Sequence, residues 1–214
     1  MELKPPAERI GNRDKILRSA THLFYHVGYQ ATSIEDILKQ SGVHKSNFYY
    51  HFTSKEELAA AVLDIRFAEY EELVARTLRN PDLTPDVRMA KFMECVSQAQ
   101  VDVKKMSGCP FGNFAATLAS MNSSESEERF RQRLSLLFNA MERGLQDCLT
   151  EGMEKGYWRT DIEPADMAAF LNATIQGLLM LTKTHRDTGP LVKGLTVAQK
   201  LLRCHITDSA TCGL

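Results

Sequence analysis

The chain lacks any apolar run long enough to cross a bilayer. Its longest uncharged stretch, residues 167–182, is 16 residues and is interrupted by Asn172, Thr174, Gln176 and Gly177. A spanning helix needs about 20 apolar residues, so no membrane partner is expected. The first residues, MELKPPAERIG, have no apolar segment of the secretory kind. Cysteine is sparse, odd in number and scattered, at positions 95, 109, 148, 204 and 212, with no Cys-x-x-Cys pair. That excludes a disulfide framework or a zinc site and points to a cytoplasmic protein without metal or cofactor. Strand-like alternation, internal repeats and low-complexity segments are also missing, which leaves helices.

Net charge is absent too, at −1 overall, but its distribution is uneven. Residues 1–55 carry a balance of +3 and the remainder −4, and four of the six histidines (22, 26, 44 and 51) fall in the basic part. A chain of 214 residues can join a small domain to a larger one. A small basic module on an acidic body is the asymmetry of a nucleic-acid reader with a separate second function.

Residues 32–55 are the most informative. Thr32 and Glu35 have the spacing of a capping box, followed by Ile34, Ile37 and Leu38 on one helical face. Gly42 supplies the positive φ that a tight turn between two short helices needs. A second helix over 44–50 follows, and Ser54 with Glu57 repeats the capping spacing to start another. Together, Thr32, Ile37, Gly42-Val43, Tyr49, His51-Phe52, Lys55-Glu56 and Leu58 resemble the signature of tetracycline-repressor-like (TetR family) transcriptional regulators.

A recognition helix enters the major groove with its N-terminal residues nearest the bases. His44, Lys45 and Ser46 are therefore the expected base-edge contacts. The resemblance adds Tyr49 as a base or thymine-methyl contact. It also implies phosphate contacts from Tyr50, His51 and Lys55, with Thr32 at the start of the preceding helix. Phe48 and Phe52 alternate with these positions and read as core. His22 and His26, four apart, have no third ligand in sight and read as an ordinary pair.

The expected architecture is all-α with about nine helices. Residues 1–55 form a three-helix DNA-binding domain with a helix-turn-helix, 56–206 a helical ligand-binding and dimerisation domain, and 207–214 a frayed tail. The first helix is expected over 13–27, stopped by Gly28, and the fourth from Ser54 to about 78. The fifth opens at Pro85 and runs to about 106, and the sixth spans about 110–120. Residues 122–128 read as a loop. The seventh carries Phe130, Leu134, Leu137, Phe138, Met141, Leu145 and Leu149 and ends near Gly152 or Gly156. Pro164 and Pro190 open the eighth and ninth.

All methionines after the first lie beyond residue 84, and methionine suits a pocket that reshapes around a ligand. The family resemblance places an effector pocket among the fourth to eighth helices. Its expected lining is Met89, Phe92, Met93, Cys109, Phe111, Phe114, Phe138, Met141 and Phe170, which calls for a neutral or weakly polar small molecule. The resemblance also implies a homodimer through the eighth and ninth helices, with Phe170, Ile175, Gly177, Leu178 and Leu181 at the interface. Such a dimer would bind an inverted-repeat operator in double-stranded DNA. Cys109, ahead of a helix opened by Pro110, is expected to have a lowered thiol pKa, with Lys183 as a nearby cation. That offers a thiol-based electrophile or redox sensor as an alternative. A small cysteine-dependent enzyme is the alternative from another class, but no paired base or catalytic dyad accompanies the cysteine.

Overall fold

A computed structural model of the chain describes residues 11–101, 108–117, 125–158 and 160–204. The described residues contain nine α-helices and no strand. Three short helices come first: α1 (Asn12–His26), α2 (Ile34–Ser41) and α3 (Lys45–His51). Ile16, Ala20 and Phe24 of α1 share one face and are almost fully buried against Ile37, Val43, Phe48 and Phe52. Each fully buried Phe or Ile contributes about 1.5–3 kcal/mol, enough together to hold so small a trio. α1 ends at Gly28, which takes φ 101° and donates its N–H to the Leu23 carbonyl (3.1 Å).

The second helix is capped one residue later than the sequence suggests. Thr32 is 1% exposed and its hydroxyl donates to the Gly28 carbonyl (2.8 Å), closing the end of α1. Ser33 is left as the cap: its hydroxyl accepts from the Asp36 N–H, and the Asp36 carboxylate accepts from the Ser33 N–H (2.9 Å). Thr-x-x-Glu and Ser-x-x-Asp both fit the capping pattern, and the inward turn of Thr32 decides between them.

α4 (Lys55–Arg76) leads out of this trio into the body, burying Leu58, Ala59, Val62 and Leu63 near its start and Tyr70 and Val74 further on. The body adds α5 (Pro85–Gln98), α6 (Pro110–Ala115), α7 (Glu125–Glu154), α8 (Pro164–His185) and α9 (Gly189–Cys204). α5 stops at Gln98 and α6 at Ala115, short of the expected ends; residues 102–107 and 118–124 lie outside the described chain. So does the tail expected to fray.

The stretch expected as a loop before α7 is helical from Glu125. Its polar residues are good helix formers, and carboxylates favour a helix N-terminus. Arg129 pairs with Glu125 (2.8 Å) and Arg131 with Glu128 (2.5 Å) at helical spacing; Arg131 and Gln132 hold the Glu128 carboxyl down at about 2. At the other end Tyr157 donates to the Gly152 carbonyl (2.8 Å) and Gly156 to Met153 (3.0 Å), the two bonds of a Schellman stop with Gly156 at φ 75°. Between these ends runs a buried stripe of Phe130, Leu134, Leu137, Met141, Leu145 and Leu149, against which α8 packs.

Candidate DNA-reading surface and internal cavity

Gly42, at φ 67°, turns α2 into α3 and donates to the Leu38 carbonyl (3.0 Å). His44 then stands as the N-cap of α3 without a side-chain cap bond, leaving its ring exposed. Lys45 and Ser46 are exposed on the first turn of α3. Tyr49 is 48% and Tyr50 83% exposed, while Phe48 and Phe52 are buried at 0% and 2%. Phe48 meets Tyr49 edge-on at 5.2 Å, and Tyr50 meets the half-buried His51 at 4.9 Å. Two large exposed aromatic side chains on a seven-residue helix, flanked by Lys45 and Lys55, are costly to leave in water.

The Lys55 ammonium sits 4.3 Å from the centre of the Tyr29 ring, and burial holds its pKa below the ordinary value. Tyr29 in turn donates to Glu56 (3.2 Å). Of the expected DNA contacts, His44, Lys45, Ser46, Tyr49 and Tyr50 lie on the exposed side of α3, with His51 and Lys55 half-buried beside it. Thr32 does not share that exposure, because its hydroxyl is committed to Gly28.

Where α1 meets the body lies a cavity of about 960 Å³, partly open to solvent and walled by α1, α4, α5, α6, α7 and α8. Phe92, Cys109, Phe111 and Met141 line it, as the sequence suggests. The other five expected lining residues do not. Met89 and Met93 are fully used in the core of α5, and Phe114 packs edge-on to Phe24 and Phe130. Phe138 lies half-buried off the wall, and Phe170 is 51% exposed on the outer side of α8. Ile175, expected at a dimer interface, is instead buried on the cavity wall.

Sequence reading missed the polar part of this wall, which includes Asp14, Arg18 and Tyr25 of α1, Arg66, Glu69 and Arg76 of α4, and Gln100, Asn172 and Gln176. Asn172 and Gln176, four apart in an otherwise apolar helix, were the available signal. Arg66 pairs with Glu69 (2.6 Å) and lies 5.4 Å from the Tyr25 ring, whose phenol burial keeps protonated far into the alkaline range.

Cys109 corrects an expectation. It is 7% exposed, and burial raises its thiol pKa, with hydrogen bonds from Gly112, Phe111 and Gln176 opposing only in part. α6 is six residues long, too short a dipole to outweigh desolvation. Lys183 is also engaged elsewhere: its ammonium donates to Asn113 (2.9 Å) while its alkyl chain packs against Gly108. Among the described residues no three His, Cys, Asp or Glu side chains gather as a metal site, and the His22 and His26 rings simply lie 4.4 Å apart. No helix among these residues is long and apolar enough to cross a membrane.

Comparison with known proteins agrees with this arrangement. Residues 16–62 match the family described as bacterial regulatory proteins, tetR family, and residues 85–197 match the tetracyclin repressor-like C-terminal domain. The HTH-type transcriptional repressor DhaR of Mycobacterium sp. (strain GP1) is 29% identical over 190 residues, 89% of this chain and 91% of that protein. An HTH-type transcriptional regulator encoded in the lacX 3' region of Lactococcus lactis subsp. lactis is 30% identical over 179 residues, covering 84% and 87%. The solved structure of a cysteine mutant of the TetR family regulator CifR, complexed with 26 bp double-strand operator DNA, shares the fold with a TM-score of 0.76 at 18% identity, covering 93% and 99%. With a helix-turn-helix trio, a helical body and a cavity where the two meet, the chain belongs to the TetR family of transcriptional regulators.

Proposed function

We propose that this regulator is a repressor that holds an inverted-repeat operator as a homodimer and releases it when a small molecule fills the cavity. Residues 1–55 are the reader and 56–206 the sensing and dimerising body. Lys45, Ser46 and Tyr49 read base edges, with His44 beside them, and Tyr50, His51 and Lys55 hold phosphates.

One observation carries the coupling. Seven cavity-lining residues, from Asp14 to His26, belong to α1, the helix on which α2 and α3 pack. A ligand therefore touches the reader's own scaffold without an intermediary. Differential affinity for two positions of α1 shifts the population toward one that no longer spans successive major grooves.

The dimer rests on the outer faces of α8 and α9, where Phe170, Met180, Leu181, Val192, Val197 and Leu201 are 40–65% exposed. Apolar area of that extent is covered in a stable protein. Gly177 leaves open space for a facing helix, whereas Leu178 already packs on Gly194 within the same chain. The buried, protonated thiol of Cys109 favours reversible binding over thiol chemistry.

The test is a mobility-shift titration with DNA from upstream of the protein's own gene, together with light scattering. Wild type should shift the fragment as a dimer, and Leu181→Asp should give a folded monomer that binds at least about tenfold more weakly. A folded wild-type protein that shifts no such fragment at low salt, or a Leu181→Asp dimer, contradicts the proposal.

A further inference from the structure

The cavity wall is mostly apolar, yet it contains buried polar atoms that find no partner among the described residues. Gln100 is 93% buried; its amide N–H donates to the Gly108 carbonyl (3.4 Å), while its Oε1 accepts nothing. Gln176 has both amide atoms out of contact with water and neither makes a full hydrogen bond. Its amide reaches the Cys109 sulfur, but a neutral thiol is a weak donor and a weak acceptor. Arg66 adds a fourth such atom, an unpartnered Nε–H on the α4 wall.

These atoms are grouped. Gln176 Oε1 lies 3.3 Å from where a Cβ on Gly112 would stand, and the Cys109 Cβ lies 3.4 Å from the same point. Gln100 binds the residue before Cys109. Both side chains thus flank residues 108–112, and both belong to the wall of the same cavity. A buried polar group left without a partner costs stability, and such groups concentrate where a ligand supplies the missing partner. Gln176 presents a donor and an acceptor side by side, and Gln100 adds an acceptor.

Resting on the regulator reading above, we propose that the effector is a neutral molecule with an apolar, ring-containing body and one carboxamide-like end. That end donates and accepts hydrogen bonds at once, and Gln176 and Gln100 hold it once their amides rotate toward the cavity. Charge is not called for by the α4 wall, where Arg66 is already paired with Glu69. The polar end anchors at the α6–α8 side while the body extends toward α1, which orients the ligand along the path of coupling.

The test uses the full chain and a panel of aromatic carboxamides, 2-naphthamide among them. Each is paired with a shape-matched compound carrying an isopropenyl group in place of the amide. Binding is read by calorimetry. Amides should bind at least about tenfold more tightly than their isopropenyl partners, and Gln176→Leu should abolish that preference while keeping affinity for the hydrocarbons. Independently, Gln176→Leu without ligand should raise Tm by about 2–4 °C, since it removes an unpaired buried amide. Equal affinity for amides and hydrocarbons, no amide binder in the panel, or a preference that survives in Gln176→Leu overturns the proposal. So does a fall in Tm in Gln176→Leu, which would make the amide structural. Operator binding by the same samples separates the two ideas: if the wild type fails to shift DNA, the regulator reading fails on its own.

Discussion

Alkylation of Cys109 tests how the cavity reads chemistry. At the ordinary thiol value of 9.0, about 1% of a cysteine is thiolate at pH 7, and burial places Cys109 below that fraction. Its 7% exposure alone cuts access by roughly fourteenfold relative to an open side chain. The two effects multiply, because only an exposed thiolate attacks. N-ethylmaleimide at pH 7 should therefore modify Cys109 at least about twentyfold more slowly in the folded protein than in the same protein unfolded in concentrated urea. Peptide mapping by mass spectrometry separates Cys109 from the other four cysteines, and comparing folded with unfolded chain cancels the reagent's intrinsic reactivity. A folded-state rate equal to or above the urea rate would mean that the site stabilises the thiolate. It would refute the burial argument and restore a thiol sensor.

Stability should fall on the alkaline side. Burial raises Cys109 and takes Cys148 up to about 12, so above pH 9 the unfolded chain releases these protons while the folded chain keeps them. The stability is full below 9 and is lost as pH rises, by about 1.4 kcal/mol per unit for Cys148 alone; calorimetric Tm values that stay level from pH 8 to 10.5 contradict this. Gly152→Ala puts a methyl 2.1 Å from the Trp158 ring, a clash that flexible side-chain movement cannot absorb. It should lower Tm by about 3–10 °C, and an unchanged Tm would show that Trp158 moves freely. On DNA, Lys45→Ala and Tyr49→Ala should narrow the gap between cognate and scrambled sites. Lys55→Ala should weaken both and reduce the salt slope by about one, so equal losses from all three changes would reverse the assignment of base and phosphate roles.

Much of the fold was legible because each signal was local. Gly28 and Gly42 marked their helix ends through positive φ, and the spacing of Phe130, Leu134, Leu137, Met141, Leu145 and Leu149 described a helix that packs along one side. Polar residues before α7 misled only because polarity was read as irregularity, when Glu125 and Glu128 stabilise the start of a helix. The exposed face of α3 could be read the same way, since a seven-residue helix between Gly42 and Ser54 leaves few ways to bury Phe48 and Phe52 without exposing Tyr49 and Tyr50.

The cavity was legible only in part, and the reason is physical. Periodicity reports which residues leave water, but a residue in the core and a residue on a cavity wall have both left it. Met89 and Met93 on one side of that distinction and Phe92 on the other belong to one helix and carry the same apolar signature. What separates them is whether a neighbouring helix fills the space in front, and that depends on contacts far apart in sequence. Polar residues within apolar helices are more informative, because burial without a partner is tolerated at few places. Gln176, whose amide makes no full hydrogen bond, therefore marked the cavity side of α8, which Met167 and Met180 of the same helix do not line. Cys109 followed the opposite course: its place ahead of Pro110 suggested an activating dipole, yet the six residues of α6 supply too little field to offset burial on every side. Sequence proximity to a helix start says nothing of how much water that start retains, and for a thiol the water decides.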